Sequence, residues 1–129
     1  MDVERYKNEI IKYRQTADAQ VEDNPGALIN KIDLLSKCLV YIGRLSSHCD
    51  GKYKRIYAQR KHDYAYAEIH SKSPKKANAE LAVAALREQE AEAYELMQRW
   101  RNAFESTQQE INALKYKLKI DFVEFNNGR

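Results

Sequence analysis

Glycine and proline are scarce in this chain, with four glycines and two prolines among 129 residues. A sheet protein of this size needs many tight turns, and too few residues suited to them are present. There are two cysteines, Cys38 and Cys49. On one unbroken helix their Cα atoms stand roughly 16 Å apart at 1.5 Å per residue, which excludes a disulfide between them. They are expected to be buried free thiols of a reducing compartment. No run of eighteen apolar residues occurs, and the opening Met1-Asp2-Val3-Glu4-Arg5 is charged. Neither a membrane span nor a signal peptide is therefore expected, and the expected location is the cytoplasm.

Catalytic constellations are missing as well. His48, His62 and His70 have no HxxxH spacing, and His48 and Cys49 are neighbours that a helix points about 100° apart. Glu88, Glu92 and Glu95 sit beside Arg87 and Arg99 at helical ion-pair spacing, which reads as a solvated face. No glycine-rich phosphate loop is present. The expectation is a protein that binds and does not catalyse, with no cofactor and no metal.

What the chain does contain is helical periodicity. Hydrophobic residues make up 43% and charged residues 32%, too apolar for disorder and rich enough in charge for long helices with wide solvated faces. Residues 1–129 read as a single all-α domain. A first helix over about 2–22 carries Val3, Tyr6, Ile10, Ala17 and Val21, with Tyr13 filling the gap, so that its apolar positions fall three or four apart. Asp23-Asn24-Pro25-Gly26 marks a turn. A second helix over about 27–70 keeps one stripe, from Leu28, Ile32, Leu35 and Leu39 to Ile42, Leu45, Cys49, Tyr53, Ile56 or Tyr57, and Tyr64. The stripe keeps its phase across Gly43 and Gly51, which favours a continuous helix. Ser73 reads as the N-cap of a third helix over about 74–125, with Pro74 as its first residue. That helix carries one heptad seam: Ala79, Val83, Leu86, Ala93, Met97, Trp100, Phe104, Thr107, Ile111, Leu114, Leu118 and Phe125, with Glu90 and Asp121 as polar exceptions.

The expected architecture is a long antiparallel helical hairpin of coiled-coil type plus an N-terminal helix. A rod this thin leaves apolar surface over, so self-association into a homo-oligomer is expected, through Trp100, Phe104, Ile111, Leu114, Leu118, Phe122 and Phe125. Polar and apolar residues alternate from Lys115 to Phe122, the period of a strand. Helix and strand are both open there, and a helix would leave Tyr116, Ile120 and Phe122 in need of a partner surface.

Charge is segregated along the chain. Residues 1–30 hold four basic and six acidic side chains, residues 77–129 seven and nine, and residues 31–76 eleven and four. The positive excess thus lies in the second helix and the loop after it. Lys37, Arg44, His48, Lys52, Arg55 and His62 fall within about 80° on a helical wheel, and Lys54 and Lys61 lie on the opposite flank. Between Lys37 and Arg55 the stripe spans about 27 Å, enough to follow several phosphates. Tyr57, Tyr64 and Tyr66 lie near the cations, the combination a sequence-indifferent single-strand binder uses. The opposing reading is a basic flank that simply pairs with the acidic third helix.

Leu35-Ser36-Lys37 opening a long helix, Ala58-Gln59-Arg60-Lys61 in its basic part, Tyr64 and Tyr66 near its end, and a final helix with Trp100 and the Ala113-Leu114-Lys115 to Phe125 tail form a recognisable layout. In this the chain resembles the UvsY-like recombination mediators of bacteriophages, over roughly residues 28–125. The resemblance implies a homo-oligomer in a bacterial host that binds single-stranded DNA and helps a recombinase displace the single-strand-binding protein. It also implies phosphate contacts from Lys52, Lys54, Arg55, Arg60 and Lys61 and assembly through the C-terminal tail. Asp50-Gly51 inside the basic helix and the additional N-terminal helix depart from the family pattern. The expected nucleic-acid-binding set is Lys37, Arg44, Lys52, Lys54, Arg55, Tyr57, Arg60, Lys61 and Tyr64. The competing functions are a protein-directed inhibitor, such as an anti-CRISPR or other anti-defence protein, and a coiled-coil scaffold without a ligand.

Overall fold

The computed structural model describes residues 1–127, with side chains through Val123. It is all-α: α1 (Val3–Asp18), α2 (Pro25–His70), α3 (Lys75–Ala82) and α4 (Ala84–Asn127) follow one another, and no strand occurs among the described residues. None of these helices is long and apolar enough to cross a membrane.

α1 starts where the Asp2 carboxylate accepts the Arg5 backbone N–H at 3.0 Å, with Glu4 in the first turn favourable to the helix dipole. It ends at Asp18, four residues short of the expected boundary, and Val21 is exposed instead of buried. The chain between α1 and α2 is fastened by charge: the Glu22 carboxylate lies 3.7 Å from the Lys31 ammonium and 4.0 Å from that of Lys117. α2 begins two residues before the expected start. Asn24 caps it, its side-chain oxygen accepting the Ala27 N–H at 2.8 Å, and Pro25 occupies the first position, where its missing donor costs nothing. The Asn-Pro step thus opens the helix.

The expected third helix is two helices. Ser73 does not cap it; Pro74 stands at the N-cap position after a cis Ser73-Pro74 peptide, and Asn78 Nδ2 donates to the Lys72 carbonyl at 2.9 Å. Helical geometry lapses at Val83 (φ −107°, ψ 8°), whose side chain is completely buried, and resumes at Ala84. From there α4 stays helical through Asn127, so the alternating stretch after Lys115 is helix.

The chain gathers into two compact units, one of Met1–Ser46 with the chain from Trp100 onward, the other of Ser47–Arg99. In the first unit Ala17, Leu28, Leu35, Ile111 and Leu114 form a buried cluster flanked by Ile32, Leu34, Leu39 and Leu118. Arg14 joins α1 to α4 through a two-pronged contact with Glu110. Gly43 allows close approach here, since a Cβ on it would stand 3.3 Å from Cε2 of Phe104. Cys38 is buried, donates through Sγ to the Ile10 carbonyl at 3.5 Å, and has its thiol pKa pushed up by burial. In the second unit the buried side chains are smaller or unbranched: Cys49, Ala79, Val83, Ala93 and Met97. Both cysteines are buried thiols, not joined in a disulfide.

α2 is continuous through Gly43 and Gly51. Its expected stripe is inside, with Leu28, Leu35, Ile42, Leu45 and Cys49 buried.

Candidate nucleic-acid interface

The basic half of α2 belongs to the second unit, where α4 supplies the acidic neighbour. The two helices neutralise each other where Arg60 meets Glu90. Arg60 meets Glu90 through both guanidinium nitrogens, Nη2 to Oε1 at 3.3 Å, with the two side chains only 14% and 15% exposed. Glu90, a polar exception in the heptad seam, is thus the partner of a half-buried arginine. Lys54 pairs within α2, 2.9 Å from Asp50. Lys52, Arg55 and Lys61 are exposed and have no carboxylate within ion-pair distance among the described residues. The basic flank is therefore not spent on the acidic helix.

Helical geometry divides these cations. Cys49, Tyr53, Ile56 and Arg60 point to the buried side; Lys52 and Arg55 lie on one flank of that face, and Tyr57, Lys61 and Lys54 on the other. Aromatic rings gather on the second flank. Tyr57 is 37% exposed, with the Lys61 ammonium 4.8 Å and the Arg60 guanidinium 5.3 Å from its ring centroid. Its neighbour Tyr53 lies 6.2 Å away and meets Tyr94 of α4 edge-on at 5.4 Å. Beside them Tyr53, Arg87, Glu90, Ala91 and Tyr94 line an open pocket of about 320 Å³. Arg87 is aimed by Glu80, which accepts from Nε at 2.7 Å and from Nη2 at 2.9 Å; that bond is the main reason its guanidinium is held above its ordinary pKa. Flat rings, cations and a cleft are what stacking a planar, negatively tethered group requires.

Tyr53, Tyr94 and Arg87 were not among the expected binding residues. Tyr53 reads as a core position from its spacing. Arg87, Glu90, Ala91 and Tyr94 stand at helical i, i+3, i+4 and i+7, the one pattern that places them on a common face. Tyr64 is half-buried in the same unit, and Tyr66 is exposed, with its ring centroid 4.3 Å from that of His70. The Asp63 carboxyl is held below its usual range by hydrogen bonds from His62 and Gln59. Lys37 and Arg44 belong to the first unit, where Lys37 pairs with Asp33 at 3.3 Å. The expected set is thus distributed over two units and two flanks.

The expected assembly residues divide similarly. Ile111 and Leu114 are taken up by the chain's own core, Leu118 packs against that core, and Trp100 and Phe104 are half-buried. Phe122 is exposed, together with Tyr116, Ile120 and Val123, and an open pocket of about 420 Å³ lies among Tyr116, Lys119, Ile120 and Val123. The Phe125 side chain lies outside the described residues. Among the described residues no group of three His, Cys, Asp or Glu side chains is placed to hold a metal ion. Compared with known proteins, the chain matches no family model, no curated protein and no solved structure.

Proposed function

We propose that this protein is a non-catalytic, self-associating binder of single-stranded DNA that serves a phage recombination or replication system as a mediator-like accessory. The observation that carries the reading is Tyr57, an exposed ring between two cations at the edge of the Tyr53–Tyr94 pocket. Bases stack on such rings whatever their identity, while Lys61 and Lys54 on the same flank meet the phosphates. Arg60 holds its place through Glu90 and supports the ring more than it reaches the strand. Self-association uses apolar side chains of α4 that the chain leaves exposed, Tyr116, Ile120 and Val123 along one face and Phe122 on another. A recombinase and a single-strand-binding protein are the partners such an accessory would serve.

Titration of labelled single-stranded DNA at two salt concentrations tests the binding. The expected result is binding that weakens steeply with salt and is largely lost in a Tyr57→Ala/Lys61→Ala variant of unchanged helicity. Absence of binding at about 50 mM salt, where phosphate contacts are strongest, overturns the reading. Light scattering on the same samples tests assembly, and a monomeric mass removes that half of the proposal.

A further inference from the structure

The first unit carries a second assembly of tyrosines and cations, which joins Lys37 and Arg44 of the expected set to residues of α1. Tyr41 of α2 lies between two tyrosines of α1, with ring centroids 5.4 Å from Tyr6 and 6.2 Å from Tyr13, the latter pair nearly parallel. All three rings are half-buried, so they form a fixed surface and not a loose fringe. Cations stand around it. The Arg44 guanidinium lies 5.8 Å from the Tyr6 centroid and 5.7 Å from that of Tyr41, and the ammonium groups of Lys12 and Lys37 lie 5.6 Å and 5.8 Å from that of Tyr13. Lys37 has a carboxylate partner, Asp33 on its own helix; among the described residues Lys12 and Arg44 have none within ion-pair distance and rest against rings.

We infer that Tyr6, Tyr13 and Tyr41 with Lys12, Lys37 and Arg44 form a second phosphodiester-binding site, assembled jointly by α1 and α2. A ring under a cation limits its hydration without neutralising it, which leaves the charge available to an incoming anion. Lys37 and Arg44 stand seven residues apart on one helix face, roughly 10 Å at 1.5 Å per residue, so they suit a repeating polyanion better than one small ion. The tyrosine hydroxyls add neutral donors to phosphate oxygens. This inference rests on the protein being a nucleic-acid binder, and it gives the N-terminal helix a share in the binding.

The test measures the salt dependence of oligothymidylate binding by the full chain and by a Lys12→Ala/Lys37→Ala/Arg44→Ala variant. Each lost single-strand phosphate contact lowers the slope of log K against log salt by about 0.7, so a fall of about 2 is expected. In parallel, the native protein is photocrosslinked to a bromodeoxyuridine-substituted strand, and adducts are expected on peptides carrying Tyr6, Tyr13 or Tyr41. This second measurement needs no variant to fold. Native binding with an unchanged slope in the triple variant, or adducts confined to Tyr53, Tyr57 and Tyr94, overturns this site and leaves the proposed function standing. Absence of strand binding by the native protein overturns both. Phosphatidylserine vesicles form the third arm: vesicle binding that the triple variant loses, with its strand slope intact, assigns the patch to a membrane surface and overturns the inference.

Discussion

The two units are built from the same two long helices and stabilised differently. Every buried leucine and isoleucine of the described residues belongs to the first unit, whereas the second buries alanines, a valine, a methionine and a cysteine around the Arg60–Glu90 pair. Branched side chains in the first unit remove more apolar surface from water per residue, and the burial term dominates folding. The second unit has less to bury, and its Tyr57 and Tyr94 rings are exposed, whereas the Tyr6, Tyr13 and Tyr41 rings of the first are half-buried. Along one helix, the sequence thus moves from holding the fold to presenting a surface.

The largest effect that tests this contrast is Leu35→Ala. Leu35 is fully buried within the core cluster, and its truncation is expected to cost about 2–5 kcal/mol by denaturant unfolding. Met97→Ala in the second unit is expected to cost less; equal losses would break the contrast. Next comes Glu90→Ala, which leaves Arg60 half-buried and unpaired. The expected loss is on the order of 2 kcal/mol, below the range for fully buried pairs because some solvent reaches both groups. A smaller and purely functional effect is expected of Tyr57→Ala. Strand affinity falls by about 1–3 kcal/mol, the worth of one stacked base, while the unfolding midpoint stays close to native.

The two central glycines of α2 give the smallest and most discriminating test. A Cβ at Gly51 would meet only the mobile Nη1 end of Arg55, at 3.3 Å, so Gly51→Ala is expected to stabilise by about 0.5–1 kcal/mol. At Gly43 the same distance is to the ring of Phe104, which is held in packing. Gly43→Ala should therefore gain less than Gly51→Ala, or lose stability. Thermal unfolding of the two variants side by side reads the difference, and equal gains would show that Phe104 yields as easily as an arginine tip.

Much of the fold was legible because it depends on period. Most of the stripe from Leu28 to Cys49 and of the seam from Ala79 to Leu114 is buried as the spacing indicates, and α2 runs through both glycines because the stripe keeps phase. What was not legible depends on contacts between helices. Nothing in the sequence near Val83 announces a break, since alanines on both sides favour helix; its complete burial is a tertiary event. The Asn24-Pro25 step reads as a turn in the sequence because the same residues serve turns and helix starts. Of the candidate interface, the cations and Tyr57 were legible on α2, but Tyr94 and Arg87 come from α4, and Tyr6 and Tyr13 from α1. Spacing along one helix carries no information about which face of another helix it meets.

The Arg60–Glu90 pair has one further consequence. Alanine-rich surfaces fit against a neighbouring helix in several alignments of similar quality, because small side chains offer few knobs to match with holes. Sliding one helix past the other by a turn would bury both charges without partners, a penalty no shift of alanines could offset. The pair therefore acts as a register pin for the second unit. It fixes which residue of α4 faces Tyr53, and so whether Tyr94 arrives where a base could use it.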